Sequence, residues 1–440
     1  MILKIYSNND HLADLLHKNP QTDEGLYAKP LKSGIVIGNV VSAHRYEVLF
    51  QDMGNGFTEE TGNQLDFQSL CNPLAVLNSC TELFGHVLKE KNEYEAQEMK
   101  WLNGLTRGQA DTQPCTIQVP VFYINSSWYR NGVFLLERYF KGIDVKRMVG
   151  NNYYLTITAS TLFEAMNLLN LTALFTHLTN VDAFNTFIDD SFAQKYLRVL
   201  TNLEQVPYFV LYLFIKRAVK NNAQFTLVKP VLEAYLAQYG IAANLTSEDT
   251  QRSRLGFITS EIGIDHAVLD IGCGEFAYYK QLTNKGFAHS YYAVDRDENL
   301  RRLGENIMNR MNTDNLSFYT RIDEVLPEER INIIMSEVIE HNAPEVSAAL
   351  VKRALLFDFG KLVISTPNAA FNKFYFENGF RHEDHHFEFT GEEFRLFIEA
   401  CTENRADIQV TYMQVGDELN GICPTQLAII KKKIQDEKQR

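Results

Sequence analysis

The feature that most constrains this chain is a rhythm in its second half. From Ala267 onward, short apolar runs alternate with helix-patterned stretches: AVLDIG, a helix, SYYAVD, a helix, INIIMS, a helix, then KLVIST. Runs that are apolar throughout belong to strands covered on both faces, and strands joined through helices run parallel. This half is therefore expected to be an α/β domain on a parallel sheet, with IQVTYMQVG and TQLAIIKKK closing it as two further strands.

The first half follows another pattern. ILKIYS, SGIVIGNVVS, RYEVLFQ, CTIQVPVFYI and YYLTITA cluster β-branched and aromatic residues between turn-forming ones, which predicts short strands. After Asn72-Pro73, apolar spacing of three and four predicts an amphipathic helix over 74–91 with a basic end. Residues 161–179 and 207–238 also read as helices, the second divided near Pro230. Between Tyr239 and Arg254 the chain turns polar, with Gly240 placed to end one helix and Ser247 or Asp249 to cap the next. The organisation expected is a mixed α/β N-terminal region over 1–240, a linker over 241–254, a C-terminal α/β domain over 255–433 and a tail over 434–440.

Charge narrows the function classes. With 42 basic and 55 acidic residues in 440, a net −13, the chain is ill suited to coating nucleic acid, where many Lys/Arg–phosphate contacts drive binding. Gripping one nucleic-acid end stays possible. The six cysteines form no C-x-x-C pair, so neither a zinc ribbon nor a disulfide scaffold is expected, and a reducing cytoplasm fits. The start lacks a basic-then-apolar leader, and Lys216 interrupts the densest apolar run, so no membrane segment is expected.

Within the second half, Val268 to Gly274 spells VLDIGCG, an apolar strand entering a glycine-punctuated turn before a helix. Gly272 and Gly274 permit a tight bend and close backbone approach by a ligand. Position 277 is Ala, so a full G-x-G-x-x-G is absent, and the site reads as one for a nucleoside more than a pyrophosphate. At the end of the next strand, Asp295 can accept both ribose hydroxyls of an adenosine group. VLDIGCG with this later acid resembles motifs I and II of class I (Rossmann-like) S-adenosylmethionine-dependent methyltransferases. Asp270, Gly272, Gly274 and Asp295 are the cofactor-binding candidates, against a NAD-type or non-binding domain as the competing reading.

Two further clusters carry chemistry. SEVIEH places Glu337, Glu340 and His341 at i, i+3 and i+4 at a strand's carboxyl end, where α/β folds bind ligands. Two carboxylates and an imidazole can hold a divalent ion, whether manganese, magnesium, iron or zinc, although similar turns occur without metal. RHEDHH then brings His382, His385 and His386 close together, and a loop there can fold over the same strand ends to add a fourth ligand. The alternative is a solvated charged loop. Phe387 and Phe389, alternating with polar neighbours, argue for partial burial.

SEVIEH, STPNAAFN and RHEDHHFEFTGEEF, in that order, resemble the small-RNA 3′-terminal ribose 2′-O-methyltransferase family, and the front half (LADLLHKNP, LAVLNSCTELFGHVLKEKNE) and late CPTQLAIIKKK are similar to its bacterial RNA-repair branch. The resemblance implies metal-dependent methyl transfer from S-adenosylmethionine to the 2′-hydroxyl of an RNA 3′ end. It implies manganese or magnesium on Glu337, Glu340, His341 and His385, with His341 or His385 as proton acceptor. It also implies an N-terminal half that activates the ligase of a polynucleotide kinase-phosphatase-ligase partner; no DNA is expected. Arg381 is placed either to meet a phosphate or as surface charge, and Phe371, Phe374, Tyr375 and Phe376 either to stack on bases or to pack the core. Asn368 is expected to hold a turn. Three positions depart from the family: Phe276 for Gly, expected to narrow the cofactor mouth, and Ala370 for Glu and Gly391 for Arg, expected to weaken substrate contacts. A small-molecule or protein acceptor, or a non-catalytic scaffold, are the competing functions.

Overall fold

The central first-half strands assemble into an antiparallel sheet because they alternate buried and more exposed residues and so have a single apolar face, while the edge strand Gly25–Pro30 has no buried residue. In the computed structural model, which describes residues 2–16, 25–31, 34–52, 73–125, 129–130, 133–180, 190–204, 208–219, 221–375, 384–403 and 405–433, the chain divides into two compact units, Met1–Tyr235 and Leu236–Arg440. The first unit holds β1 (Ile2–Ser7), β2 (Gly25–Pro30), β3 (Gly34–Ser42), β4 (Arg45–Asp52), β5 (Cys115–Tyr123), β6 (Ile143–Arg147) and β7 (Asn152–Ala159), in the order β6-β7-β5-β1-β4-β3-β2. Leu3, Ile5, Ile117, Val119, Leu155 and Ile157 supply its buried face. Helix α1 (Pro73–Phe84) packs against α2 (Leu162–Thr179), which lies on β5 and β7.

Helix α2 is buried on nearly every side, so its first N–H groups need partners inside the protein. Asp111 provides them. Its carboxylate accepts the Leu162 and Phe163 N–H groups at 2.8 and 2.9 Å and the Tyr94 hydroxyl at 2.9 Å. Burial pushes the Asp111 carboxyl above its usual range despite these bonds.

Two sequence expectations in this unit are corrected. The helix expected over 74–91 ends at Phe84, and a second short helix starts at Lys91. A Cβ at Gly85 would stand 2.5 Å from the Thr81 carbonyl oxygen, a closeness only glycine tolerates, so the chain turns there. The break expected near Pro230 is absent: Pro230 lies inside the helix Asn222–Gln238. Burial of Val228, Leu232 and Tyr235 along that helix offsets the missing proline donor.

The second unit carries the expected parallel sheet. Its strands are β8 (Ala267–Ile271), β9 (Tyr291–Val294), β10 (Leu316–Tyr319), β11 (Ile331–Ser336), β12 (Phe359–Pro367), β13 (Ile408–Val415) and β14 (Thr425–Lys432), ordered β10-β9-β8-β11-β12-β14-β13. All neighbours pair in parallel except β14, which runs antiparallel between β12 and β13. Both faces are covered: Leu269, Ile333 and Ile364 enter one core, Val268, Ile334 and Val363 the other. This is a Rossmann-like α/β domain preceded by a mixed α/β region. Strand order reverses between β8 and β11, whose carboxyl ends mark the topological switch point where α/β folds bind ligands.

Helix α3 (Thr250–Ile262) begins within the stretch read as a linker, capped by Asp249, which accepts the Arg252 N–H at 2.7 Å. No helix among the described residues is long and apolar enough to cross a membrane.

Replacing Asp111 by Ala leaves the first turn of α2 without acceptors in a dry environment. We expect Asp111→Ala to cost about 2–4 kcal/mol, read as a lowered urea midpoint of the full-length protein. An unchanged midpoint would refute the anchoring role.

Candidate metal and cofactor site

Beyond β8 the backbone turns through Gly272 at φ +75° and Gly274 at φ +47°. The two glycines serve different purposes. A Cβ at 272 would lie 2.4 Å from Val338 Cγ2, so this glycine lets the β8 turn and the β11 turn touch. A Cβ at 274 would meet nothing within 4 Å, which leaves that side of the turn open to a ligand. Asp295, just past β9, closes the turn: Oδ2 accepts the Gly274 N–H at 3.1 Å and Oδ1 the Asp297 N–H at 3.1 Å. Asp270 lies beneath it, fully buried, accepting the Tyr291 hydroxyl at 2.5 Å. Burial raises its carboxyl to about 7, with the nearby Asp295 charge adding to the rise and the Tyr291 bond opposing it.

Phe276 differs from expectation. It sits at φ +59°, the left-handed region glycine favours, yet its side chain is fully buried beside Phe318, with ring centroids 6.2 Å apart. Gly304 makes room: a Cβ there would stand 3.1 Å from the Phe276 ring. The ring thus fills a hydrophobic core instead of narrowing the cofactor mouth.

After β11 the chain makes a second strained turn. Glu337 adopts φ +56°, which costs about 1–2 kcal/mol for a residue with a side chain, and its N–H donates to the Ser365 carbonyl at 2.9 Å. A 3₁₀ turn over Ile339–His341 follows. Glu340 is fully buried; Oε2 accepts the Thr366 hydroxyl at 2.9 Å, while Oε1 has no hydrogen-bond partner among the described residues. Burial, reinforced by Glu337, raises the Glu340 carboxyl to about 9.

The histidine segment folds onto this turn. The His386 N–H donates to the Glu340 carbonyl at 2.8 Å, and the His341 and His385 rings meet edge to face with centroids 4.8 Å apart. Gln426 of β14 ties the segment down, its amide donating to the carbonyls of Pro367 at 3.1 Å and Phe389 at 2.8 Å. Glu340, His341 and His385 consequently offer ligand atoms that all lie within 4.8 Å of one another. Each imidazole has a carboxylate on Nδ1: Asp384 at 3.2 Å from His341, and Glu388 at 2.6 Å from His385. With Nδ1 so engaged, Nε2 is the nitrogen each ring can present to a cation. Glu337 stands outside the trio. Its Oε2 pairs with Arg254 of α3 at 2.9 Å and its Oε1 accepts the Ser365 hydroxyl at 3.2 Å.

These residues fit a divalent cation. A sealed carboxyl with one oxygen unpartnered among the described residues, set within reach of two carboxylate-steered imidazoles, must keep a proton or meet a positive charge, and the mixed oxygen and nitrogen donor set suits manganese, iron or zinc better than magnesium. Arg381, His382 and Phe376 fall outside the described residues. Asn368 holds a turn, accepting the Ala370 N–H at 3.1 Å, and Phe371 is core, packed with Phe374 and Tyr375. Gly391 opens α7 (Gly391–Cys401) behind a Thr390–Glu393 capping box; between it and α3 lie α4 (Ala277–Asn284), α5 (Asn299–Met311) and α6 (Pro344–Ala354). Sequence reasoning did not single out Arg254, Thr366, Asn372, Asp384 or Glu388. The alternation of His386-Phe387-Glu388-Phe389 pointed the phenylalanines inward and Glu388 outward, whereas Glu388 is the buried one; Arg254, inside a polar stretch, carried no signal.

Residues 2–237 match the family model of the Hen1 N-terminal domain. The chain belongs to the Hen1 family. Across its length this Hen1-family chain is similar to a chain in a solved Pnkp1/Rnl/Hen1 RNA repair complex, with 47% identity, a TM-score of 0.76, and coverage of 98% of this chain and 100% of that one. It is also 34% identical over 118 residues to the small RNA 2′-O-methyltransferase of Drosophila melanogaster, and 28% identical over 134 residues to that of Tetrahymena thermophila. Those matches cover 24% and 28% of this chain and span 30% and 31% of the relatives' own lengths.

The Phe276 geometry makes an ordering testable by thermal or urea denaturation. Both Phe276→Ala and Phe276→Gly lose the buried ring, at about 3–5 kcal/mol. Glycine alone accepts the left-handed backbone freely, so Phe276→Gly is expected to be the more stable of the two by about 1 kcal/mol. Alanine emerging as the better replacement would contradict this account.

Proposed function

We propose that this protein transfers a methyl group from S-adenosylmethionine to the 2′-hydroxyl of the 3′-terminal ribose of RNA, in a metal-dependent reaction serving RNA repair. The observation that carries the proposal is the buried Glu340 carboxyl, one oxygen of it orphaned among the described residues, within reach of His341 and His385 on a turn that touches the glycine turn through Val338 and Gly272. The names of the relatives and of the RNA repair complex support it.

The glycine turn and Asp295 would hold the adenosine part of the cofactor, whose sulfonium supplies the methyl group. Glu340, His341 and His385 would hold a divalent cation, with Glu337 joining once it leaves Arg254. When bound there, the cation supplies Lewis-acid polarisation of the terminal ribose hydroxyls. An internal ribose has its 3′ oxygen esterified, so only a chain end presents two hydroxyls.

The residues around the trio have separable tasks. Thr366 fixes one Glu340 oxygen and leaves the other for the ligand. A ring that gives its Nε2 lone pair to a cation has none left for a proton, so His341 and His385 cannot both serve as ligand and acceptor at once. Exposure favours His341 as the proton acceptor in a state where its Nε2 is off the cation and Glu337, Glu340 and His385 hold it, because its Asp384 partner is 71% exposed and can pass the proton to water, whereas His385 is enclosed. Arg381 is proposed to meet a phosphate near the RNA end. The Met1–Tyr235 unit would engage a kinase-phosphatase-ligase partner, a reading supported by the likeness to a chain of the Pnkp1/Rnl/Hen1 RNA repair complex, and the proposed compartment is the cytoplasm.

Short RNA incubated with the protein, S-adenosylmethionine and manganese should acquire an end resistant to periodate. Glu340→Gln and His385→Asn should each lower the rate by roughly 100-fold or more, and chelation should abolish it, with binding of the demethylated cofactor product retained. An RNA end that stays periodate-sensitive under these conditions, or full activity in Glu340→Gln, would exclude the reading.

A further inference from the structure

Behind His385 lies a buried relay that the ligand set does not include. Glu388 is almost completely enclosed, and its two oxygens face different partners. Oε1 takes the His385 Nδ1 contact at 2.6 Å, and Oε2 accepts the Asn372 side-chain amide at 2.6 Å. Asn372 belongs to the turn Ala369–Phe374 after β12, and Glu388 to the extended stretch that pairs with Asn368 through Phe389. The two segments meet at this carboxylate.

The geometry points to Glu388 as a positioning residue, held by Asn372, that fixes the tautomer of His385 so that its Nε2 faces the cation. The inference deepens the function proposed above and rests on that reading only for the cation. A neutral imidazole carries one ring proton. A carboxylate has no hydrogen to donate, so a 2.6 Å contact to Nδ1 places the ring proton there and keeps it off Nε2. Asn372 supplies direction. Because its amide donates to Oε2, the partner atom at that position must be an acceptor, which makes Oε1 the oxygen turned to the histidine.

This arrangement gives the isosteric change Glu388→Gln an unusual expected effect. Asn372 would keep the new amide oxygen and turn the new NH2 toward His385, so that Nδ1 becomes an acceptor and the ring proton moves to Nε2, where it obstructs the cation. Adding Asn372→Ala removes this bias on the amide orientation and makes the original tautomer more accessible again. A residue that merely filled space would show neither the loss nor the rescue.

The test uses the full-length protein and manganese alone as probe. Titration calorimetry should show Glu388→Gln binding manganese roughly 10–100-fold more weakly than the wild type, with Asn372→Ala on top recovering part of the loss and the thermal midpoint of the variants remaining close to wild type. In parallel, 15N NMR of the metal-free protein should find His385 protonated at Nδ1 in the wild type and at Nε2 in Glu388→Gln. An unshifted tautomer in Glu388→Gln overturns the positioning role. A tautomer switch in the variant, combined with a wild type that binds no manganese, upholds the positioning role while removing the metal from the proposed function.

Discussion

The site depends on one unfavourable arrangement, a carboxyl group at Glu340 sealed from water with an oxygen that nothing among the described residues satisfies. Removing a carboxylate from water without a partner costs several kcal/mol, and such a group escapes either by keeping its proton or by finding a cation. Burial drives the Glu340 carboxyl toward the protonated form. The neighbouring imidazoles offer lone pairs and no positive charge unless protonated, so the cluster is complementary to a metal ion more than to any side chain.

Everything around the carboxyl serves to hold that arrangement in place. The Thr366 hydroxyl selects which oxygen is left over, and the His386 backbone fastens the histidine segment to the Glu340 carbonyl. Strain appears at the same location. Glu337 and Phe276 both occupy left-handed backbone, one at each of the two turns that touch through Val338 and Gly272. Strained residues persist where surrounding structure over-determines them, and here the over-determination comes from Arg254 and Ser365 at Glu337 and from the buried ring at Phe276.

Much of this was legible in the residues. The parallel sheet followed from apolar runs separated by helices, a pattern that few architectures satisfy, and the glycine turn followed from its place at the end of the first such strand. What could not be read were the partners reached through tertiary folding. Arg254 lies in a polar stretch whose composition says linker, and only the helix started by Asp249 carries it to Glu337. Gly85 looked like one residue of a long amphipathic helix, because periodicity does not register a backbone approach as close as that of Thr81. Phe276 looked like an obstruction because the sequence does not show Gly304 making room for it.

Strand β14 runs antiparallel between β12 and β13, and its Gln426 amide bridges the carbonyls that fasten the histidine segment. It follows every proposed ligand in chain order. As the polypeptide leaves the ribosome, Glu340, His341 and His385 therefore emerge before the strand that clamps them. The clamp on the proposed ligands is thus laid down only after the side chains it fastens, so their final spacing waits on a segment synthesised some forty residues later.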